Sequence, residues 1–225
     1  MLTVDDRERV RVLTLDRPER RNALTPELLD DLAAAVADAP TPVVLLRGAG
    51  SAFCAGADFG VVDDLDRESA RRFARRGQRT MNAIEDADAV VVAGVDGAAR
   101  GGGVELALAC DVRVATPDAT FAETGVSLGL FGAWGGTRRL PRAVGETVAL
   151  DLSLTGRVVD AAEAREVGLV SQVVEDPTSV AEAVAANDAG ALPRLKRLVR
   201  EDGSRAEQER READAFADLV DARND

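Results

Sequence analysis

The segment from Gly94 to Asp111, GVDGAARGGGVELALACD, constrains this chain more than any other. Gly101, Gly102 and Gly103 follow an apolar run, Ala89 to Ala93, and precede an apolar segment that holds a single carboxylate, Glu105. Without Cβ atoms, consecutive glycines let a ligand come close to the backbone. A helix that starts there presents N–H groups with no intrahelical partner, and such an end stabilises negative charge. That charge can be a phosphate or an oxyanion formed during a reaction. Glu105, one turn into the helix, then lies beside the bound group as an acid or base. The segment has no G-K-[ST] and does not read G-x-G-x-x-G, so a phosphate loop fits it poorly.

The rest of the chain surrounds this turn with alternating elements. Val10 to Leu15 reads as a strand, and Pro26 to Ala39 as an amphipathic helix with Thr25 as N-cap and proline at its first position. Val43 to Arg47 suits a buried strand that leads into a loop from Gly48 to Gly60. Residues 63–86 are charged, with Arg71, Arg72, Arg75 and Arg76 among acids, and predict an exposed, solvated helix. Ala89 to Ala93 is a strand, Gly102 to Ala109 a helix, and Asp111 to Ala115 a returning strand. The fold class is therefore α/β, with the loops after the strands building the site. From Gly135 onward the chain reads mainly helical, with breaks near Gly190 to Pro193 and at Gly203. The expected division is a catalytic core over 1–180 and a helical extension over 181–225.

Composition narrows the chemistry. The 225 residues suffice for one α/β domain with a substantial core. The chain has no histidine and no tyrosine. Ser-His-Asp and Cys-His mechanisms are thereby excluded within it, as are His-ligated metals, and no metal site is expected. Proton transfer falls to carboxylates, Cys54, Cys110, Lys196 or water. The two cysteines form no disulfide framework and fit no zinc spacing. A net charge of −12 disfavours nucleic acid. All but one of the 28 basic residues are arginine, Lys196 being the exception. Abundant carboxylate with almost no lysine resembles proteins of salt-loving organisms, where salt screens self-repulsion; a high-GC genome also favours arginine. No apolar stretch reaches the roughly 18 residues of a membrane span, and MLTVDDRERV carries no apolar signal region. The expected compartment is the cytoplasm.

Several motifs, taken together, resemble the enoyl-CoA hydratase/isomerase (crotonase) superfamily. The glycine segment is one. Arg17-Pro18 with Arg21-Asn22-Ala23-Leu24 resembles the RP…NAL element, and Ser51 to Asp58, SAFCAGAD, resembles the first oxyanion loop. Gly135 to Arg142, GGTRRLPR, and Thr155-Gly156 with Ala161 to Val170 follow in the family's order. The resemblance implies the ββα spiral of the crotonase fold, a C-terminal helical part that packs against neighbouring subunits as a trimer or hexamer, and a coenzyme A thioester as substrate with no other cofactor.

By the same resemblance, the N–H groups of Ala57 and Gly102 bind a thioester oxygen, and Glu105 is the first of two family carboxylates. The position of the second falls on Gly125, which can neither hold nor transfer a proton. Glu123, two residues earlier, is the candidate replacement. If that stretch is extended, Glu123 and Gly125 share a face with Cα atoms roughly 7 Å apart, so a shared water needs a rearranged loop. Gly132-Ala133 also lacks the aspartate that some isomerase relatives place there. Asp111 and Asp118 are expected to cap turns. Arg21, Ala23, Ala55, Gly56, Asp58, Phe59, Gly101, Gly125 and Trp134 are the residues implied to meet the substrate, with Phe131 as a further wall. Three functions follow: a hydratase or related lyase or isomerase working with Glu105, alone or with Glu123; a one-acid reaction such as decarboxylation of a malonyl-type thioester; or an acyl-CoA-binding subunit with vestigial catalysis.

Overall fold

The computed structural model describes residues 1–223; Asn224 and Asp225, the end of the expected helical extension, lie outside it. The apolar runs become the middle of a six-stranded sheet. Its long strands are β1 (Leu2–Asp6), β2 (Val10–Leu15), β3 (Val43–Gly48), β4 (Val90–Val95) and β6 (Val112–Ala115), with the short β9 (Gln172–Val173) at the far edge. From β2 to β9 the neighbours are parallel, and β1 pairs antiparallel with β2. The sequence pattern does not mark β1, because all but its first residue are exposed. A second layer contains β5 (Ala98–Arg100), β7 (Thr120–Ala122) and β8 (Val159–Asp160). Single bridges, Leu24 to Ala57 and Cys54 to Ala99, extend that layer.

Each of β2, β3, β4 and β6 is thus followed by a short segment in the second layer and then a helix. The helices of these units are α1 (Pro26–Ala37), α2 (Phe59–Val62) with α3 (Arg67–Asp86), α4 (Gly102–Ala109), and α5 (Gly136–Val144). This repeat is the ββα spiral that the motifs implied. Local chemistry sets the helix starts. Thr25 accepts a hydrogen bond from the Leu28 N–H at 3.3 Å with proline behind it, and Asp66 and Ser69 form a capping box at the start of α3.

One core fills the space between the large sheet and α1, α3, α4 and α5, with Leu13, Leu15, Leu29, Leu32, Leu46, Met81, Ile84 and Leu106 fully buried. Each such side chain contributes roughly 1.5–3 kcal/mol relative to exposure. The helix α3 is therefore not the fully solvated helix its charges suggest: Gly77, Thr80, Met81 and Ile84 turn inward. After α6 (Glu146–Thr155) and α7 (Ala161–Glu166), α8 (Thr178–Ala185) covers the opposite face of the sheet with Ala181 and Ala185. The expected division after residue 180 falls inside α8, a core element. Beyond it lie α9 (Ala191–Arg200) and α10 (Arg205–Asp221), which pack on one another.

Candidate active site

The triple glycine does start a helix. Gly101 stands at its cap with φ +46°, a conformation in which a Cβ is strained, and α4 begins at Gly102. Trp134 packs so closely over Gly102 that a side chain there has no room. The loop over residues 51–58 comes alongside. Gly56 has φ +87°, and a Cβ on it would stand 2.6 Å from the Arg100 carbonyl and 2.9 Å from the Gly102 nitrogen. On either side of Ala57, Leu24 and Asp58 complete the bridge: Leu24 N–H donates to Gly56 at 2.8 Å and Asp58 N–H to Leu24 at 3.0 Å. Neither Ala57 N–H nor Gly102 N–H has an acceptor among the described residues, and both residues line the same pocket.

That pocket, about 310 Å³, is mostly apolar, with Glu105 its one carboxylate. Ala55, Phe59, Gly101, Gly125, Phe131 and Trp134 line it. Val62, Leu65 and Phe73 from α2, α3 and the turn between them line it too, although Leu65 and Phe73 fall in the stretch expected to be a solvated helix. Their signal was the apolar spacing Phe73, Gly77, Met81, Ile84 beneath the charges. Phe59 and Phe131 are largely exposed, whereas Trp134 is buried edge-on to Phe73, ring centroids 5.5 Å apart.

The carboxylate is Glu105, 1 % exposed. Its Oε1 accepts hydrogen bonds from the Trp134 N–H at 2.8 Å and the Gly136 N–H at 2.7 Å. Gly132 and Gly136 lie flat against it; a Cβ on Gly132 would come within 2.7 Å of the Glu105 Cδ. Burial raises the Glu105 pKa, with the two N–H donors and the Arg139 charge partly opposing the rise. The sequence reading did not single out Arg139. It is buried, donates to the Trp134 carbonyl at 3.1 Å and to Asn82 at 2.8 Å, and is paired with Glu85. It thereby ties the turn that holds Glu105 to α3.

Other candidates are placed elsewhere. Asp58 does not line the pocket: its carboxylate accepts from Gly60 N–H and pairs with Arg17 at 3.0 Å. Arg17 also donates to the Ala23 carbonyl, and the buried Asn22 donates to Ala49 and Ala52. The RP…RNAL element is thus a clamp on the loop over residues 51–58, with Arg21 exposed and at φ +49°. Cys54 and Cys110 are buried thiols whose pKa burial pushes up to about 12, which removes them as bases near neutral pH. Lys196 is engaged with Asp111 at 3.0 Å, and Arg200 lies 2.8 Å from the same carboxylate. Asp111 is therefore a buried anchor for α9, not a turn cap.

Glu123 and Gly125 do not share an extended face. After β7 the chain turns at Glu123 into a 3₁₀ turn, Thr124–Leu128. Gly125 lines both the apolar pocket and a smaller cavity, whereas Glu123 lines the smaller cavity and not the apolar pocket.

The fold, two apposed loops of free N–H groups and one buried acid define an enzyme of the enoyl-CoA hydratase/isomerase class. The sequence profile described as "Enoyl-CoA hydratase/isomerase" matches residues 5–217, and the chain belongs to that family. It is 39% identical over 179 residues to the crotonyl-CoA hydratase of Syntrophomonas wolfei, covering 77% of this chain and 69% of the relative. A probable enoyl-CoA hydratase of Rhizobium meliloti is 40% identical over 191 residues, 82% of this chain and 73% of the relative. The crystal structure of an enoyl-CoA hydratase from Bacillus anthracis superposes with a TM-score of 0.92 at 33% identity, covering 97% of this chain and 90% of the other.

Proposed function

We propose that this chain hydrates a 2-enoyl-CoA thioester, binding the thioester oxygen between the N–H groups of Ala57 and Gly102 and using Glu105 as its acid and base. The observation that carries this reading is the position of Glu105, one oxygen held by two backbone donors and the carboxyl at the wall of an apolar pocket beside those free N–H groups. Preorganised donors of this kind are worth several kcal/mol in a transition state where the oxygen becomes an oxyanion. Glu105 takes a proton from water as hydroxide adds to the β-carbon, and electrons move to the thioester oxygen. The same carboxyl then returns the proton to the α-carbon, so that the elements of one water are added. Coenzyme A is the substrate's handle, carried along the Ala23 and Ala55 to Ala57 edge, with Arg21 exposed nearby for a phosphate.

A second reading rests on Gly125. The apolar pocket holds a glycine where the family's second acid falls, and Glu123 is not among its walls. A reaction needing one acid, such as decarboxylation of a malonyl-type thioester, suits that arrangement, because a second carboxylate would repel the substrate's own charge. The exposed Leu195, Val199, Phe216 and Val220 on α9 and α10 support assembly into a trimer or hexamer.

Incubation with crotonyl-CoA, and separately with a saturated acyl-CoA, in deuterated high-salt buffer distinguishes the readings. Hydration product supports the first. Deuterium at the α-carbon without hydration favours the one-acid reaction, and neither outcome leaves acyl-CoA binding alone.

A further inference from the structure

Glu105 keeps its place because a turn beside it keeps its own. The turn runs from Trp134 to Gly136, and the N–H groups at its two ends both donate to Glu105 Oε1. Its middle residue, Gly135, has φ +108°, where a side chain is strained. A Cβ on Gly135 would also strike the Arg139 guanidinium, so glycine serves both the turn and the close approach of that side chain.

Arg139 uses all three nitrogens of its guanidinium on partners within the protein. Nη1 donates to the Trp134 carbonyl at 3.1 Å, Nε to Glu85 at 2.8 Å, and Nη2 to Asn82 at 2.8 Å and also to Glu85. Its backbone N–H donates to the Gly135 carbonyl at 3.0 Å, and its side chain is only 6 % exposed. A planar fork with donors in fixed directions meets these demands, and an ammonium does not. Glu85 is held in turn from α9, where Arg200 donates to its carbonyl at 2.8 Å. We propose that Arg139 is the positioning residue of Glu105, fixing the Trp134–Gly136 donors against α3 through Glu85 and Asn82. The proposal rests on Glu105 being the acid/base group described above.

The same contacts act on the acidity of Glu105. Burial raises its pKa, and the Gly136 and Trp134 N–H groups and the Arg139 charge oppose the rise. Losing Arg139 removes the charge and loosens both donors, so the neutral form gains. Losing only the charge of Glu85 acts the other way, because the guanidinium then stands uncompensated. Arg138 and Arg200, 3.9 and 3.8 Å from Glu85, add to that change in the same direction. The remaining ionisable group nearby is Glu123 after β7, pushed up to about 8 and therefore neutral at pH 7.

Two measurements test this. Infrared titration follows the Glu105 carboxyl stretch, identified by its absence in Glu105→Gln. Its midpoint is expected to rise in Arg139→Gln and to fall in Glu85→Gln, which keeps an acceptor for the guanidinium. The Glu85→Gln arm decides even if Arg139→Gln fails to fold. In crotonyl-CoA hydration, Arg139→Gln is expected to lower kcat on the order of a hundredfold, the cost of misplacing a catalytic group by about 1 Å. KM should change little, because Arg139 does not line the acyl pocket. A residue that only stabilises the fold leaves the Glu105 midpoint where it is. A midpoint that stays in either variant, or moves the same way in both, overturns the proposal, as does a loss confined to KM. If the wild type hydrates nothing, the functional reading fails, while the infrared titration still decides what holds Glu105.

Discussion

Glu105, the acid and base of the proposed reaction, is held mainly by backbone. Its donors are N–H groups of Trp134 and Gly136, and its neighbours are glycines with no side chain to move. Glu105→Gln keeps the volume and removes the titrating group. We expect at least about a hundredfold loss of turnover, the usual range for a general acid or base, measured with whichever thioester the wild type converts; unchanged turnover would remove Glu105 from the mechanism. Gly125→Glu places a carboxylate in the acyl pocket. A Cβ there would meet Phe131 Cα at 3.1 Å and Leu130 at 3.2 Å, so the backbone after the 3₁₀ turn must give slightly. Hydration of crotonyl-CoA should rise if that adjustment is made. A folded variant with no gain favours the one-acid reaction. Glu123 also bears on stability. Its pKa is raised on folding from 4.5 to about 8, so the folded state binds the extra proton in that window. Wild-type stability is therefore expected to fall as pH rises from about 4.5 towards 8, and chemical denaturation should show Glu123→Gln without that fall. Parallel curves for the two proteins would contradict the raised value.

Among the elements, α9 is held by charge more than by apolar contact. None of its residues is fully buried; Leu192 packs on the sheet's apolar face, and Lys196 and Arg200 both meet the buried carboxylate of Asp111. Lys196 also donates to the Ala89 carbonyl at 3.0 Å, and the Val91 N–H donates to Asp111 at 2.7 Å. Breaking one side of a buried pair leaves an uncompensated charge. Asp111→Ala is expected to cost about 3 kcal/mol on that ground, read from urea unfolding. A loss well below this would show that α9 is held by other contacts. The same logic applies to α5, where Arg139 joins the Glu105 turn to α3.

At the scale of the whole molecule, 40 acids face 28 bases, and screening matters. The melting temperature should rise clearly between dilute buffer and molar KCl, because salt relieves carboxylate repulsion. A flat or falling curve would leave genome composition as the reason for the lysine shortage. No helix among the described residues is long and apolar enough to cross a membrane. The apolar side chains exposed on α9 and α10 predict a sedimentation mass of three or six chains, and Phe216→Glu should lower it. A wild-type monomer would place those side chains outside any subunit contact.

The central strands, the starts of α1 and α4 and the two glycine-containing loops were legible in the chain because each depends on local chemistry. Apolar runs such as Val43 to Leu46 can only be buried, Thr25-Pro26 can only begin a helix well, and triple glycine before Glu105 suits a backbone that must approach a ligand. What sequence reasoning left open were contacts between distant segments. Asp58 was read as meeting substrate and instead closes a pair with Arg17; Asp111 was read as a cap and instead anchors α9. The strand β1 was invisible because backbone pairing with β2, not side-chain burial, defines it. The turn at Glu123 decided that Gly125 reaches the acyl pocket while Glu123 stays out of it, although both line the smaller cavity. Local propensity is written along the sequence. Which acid faces the substrate depends on how α4, α5 and the turn after β7 pack, and that only the tertiary structure could decide.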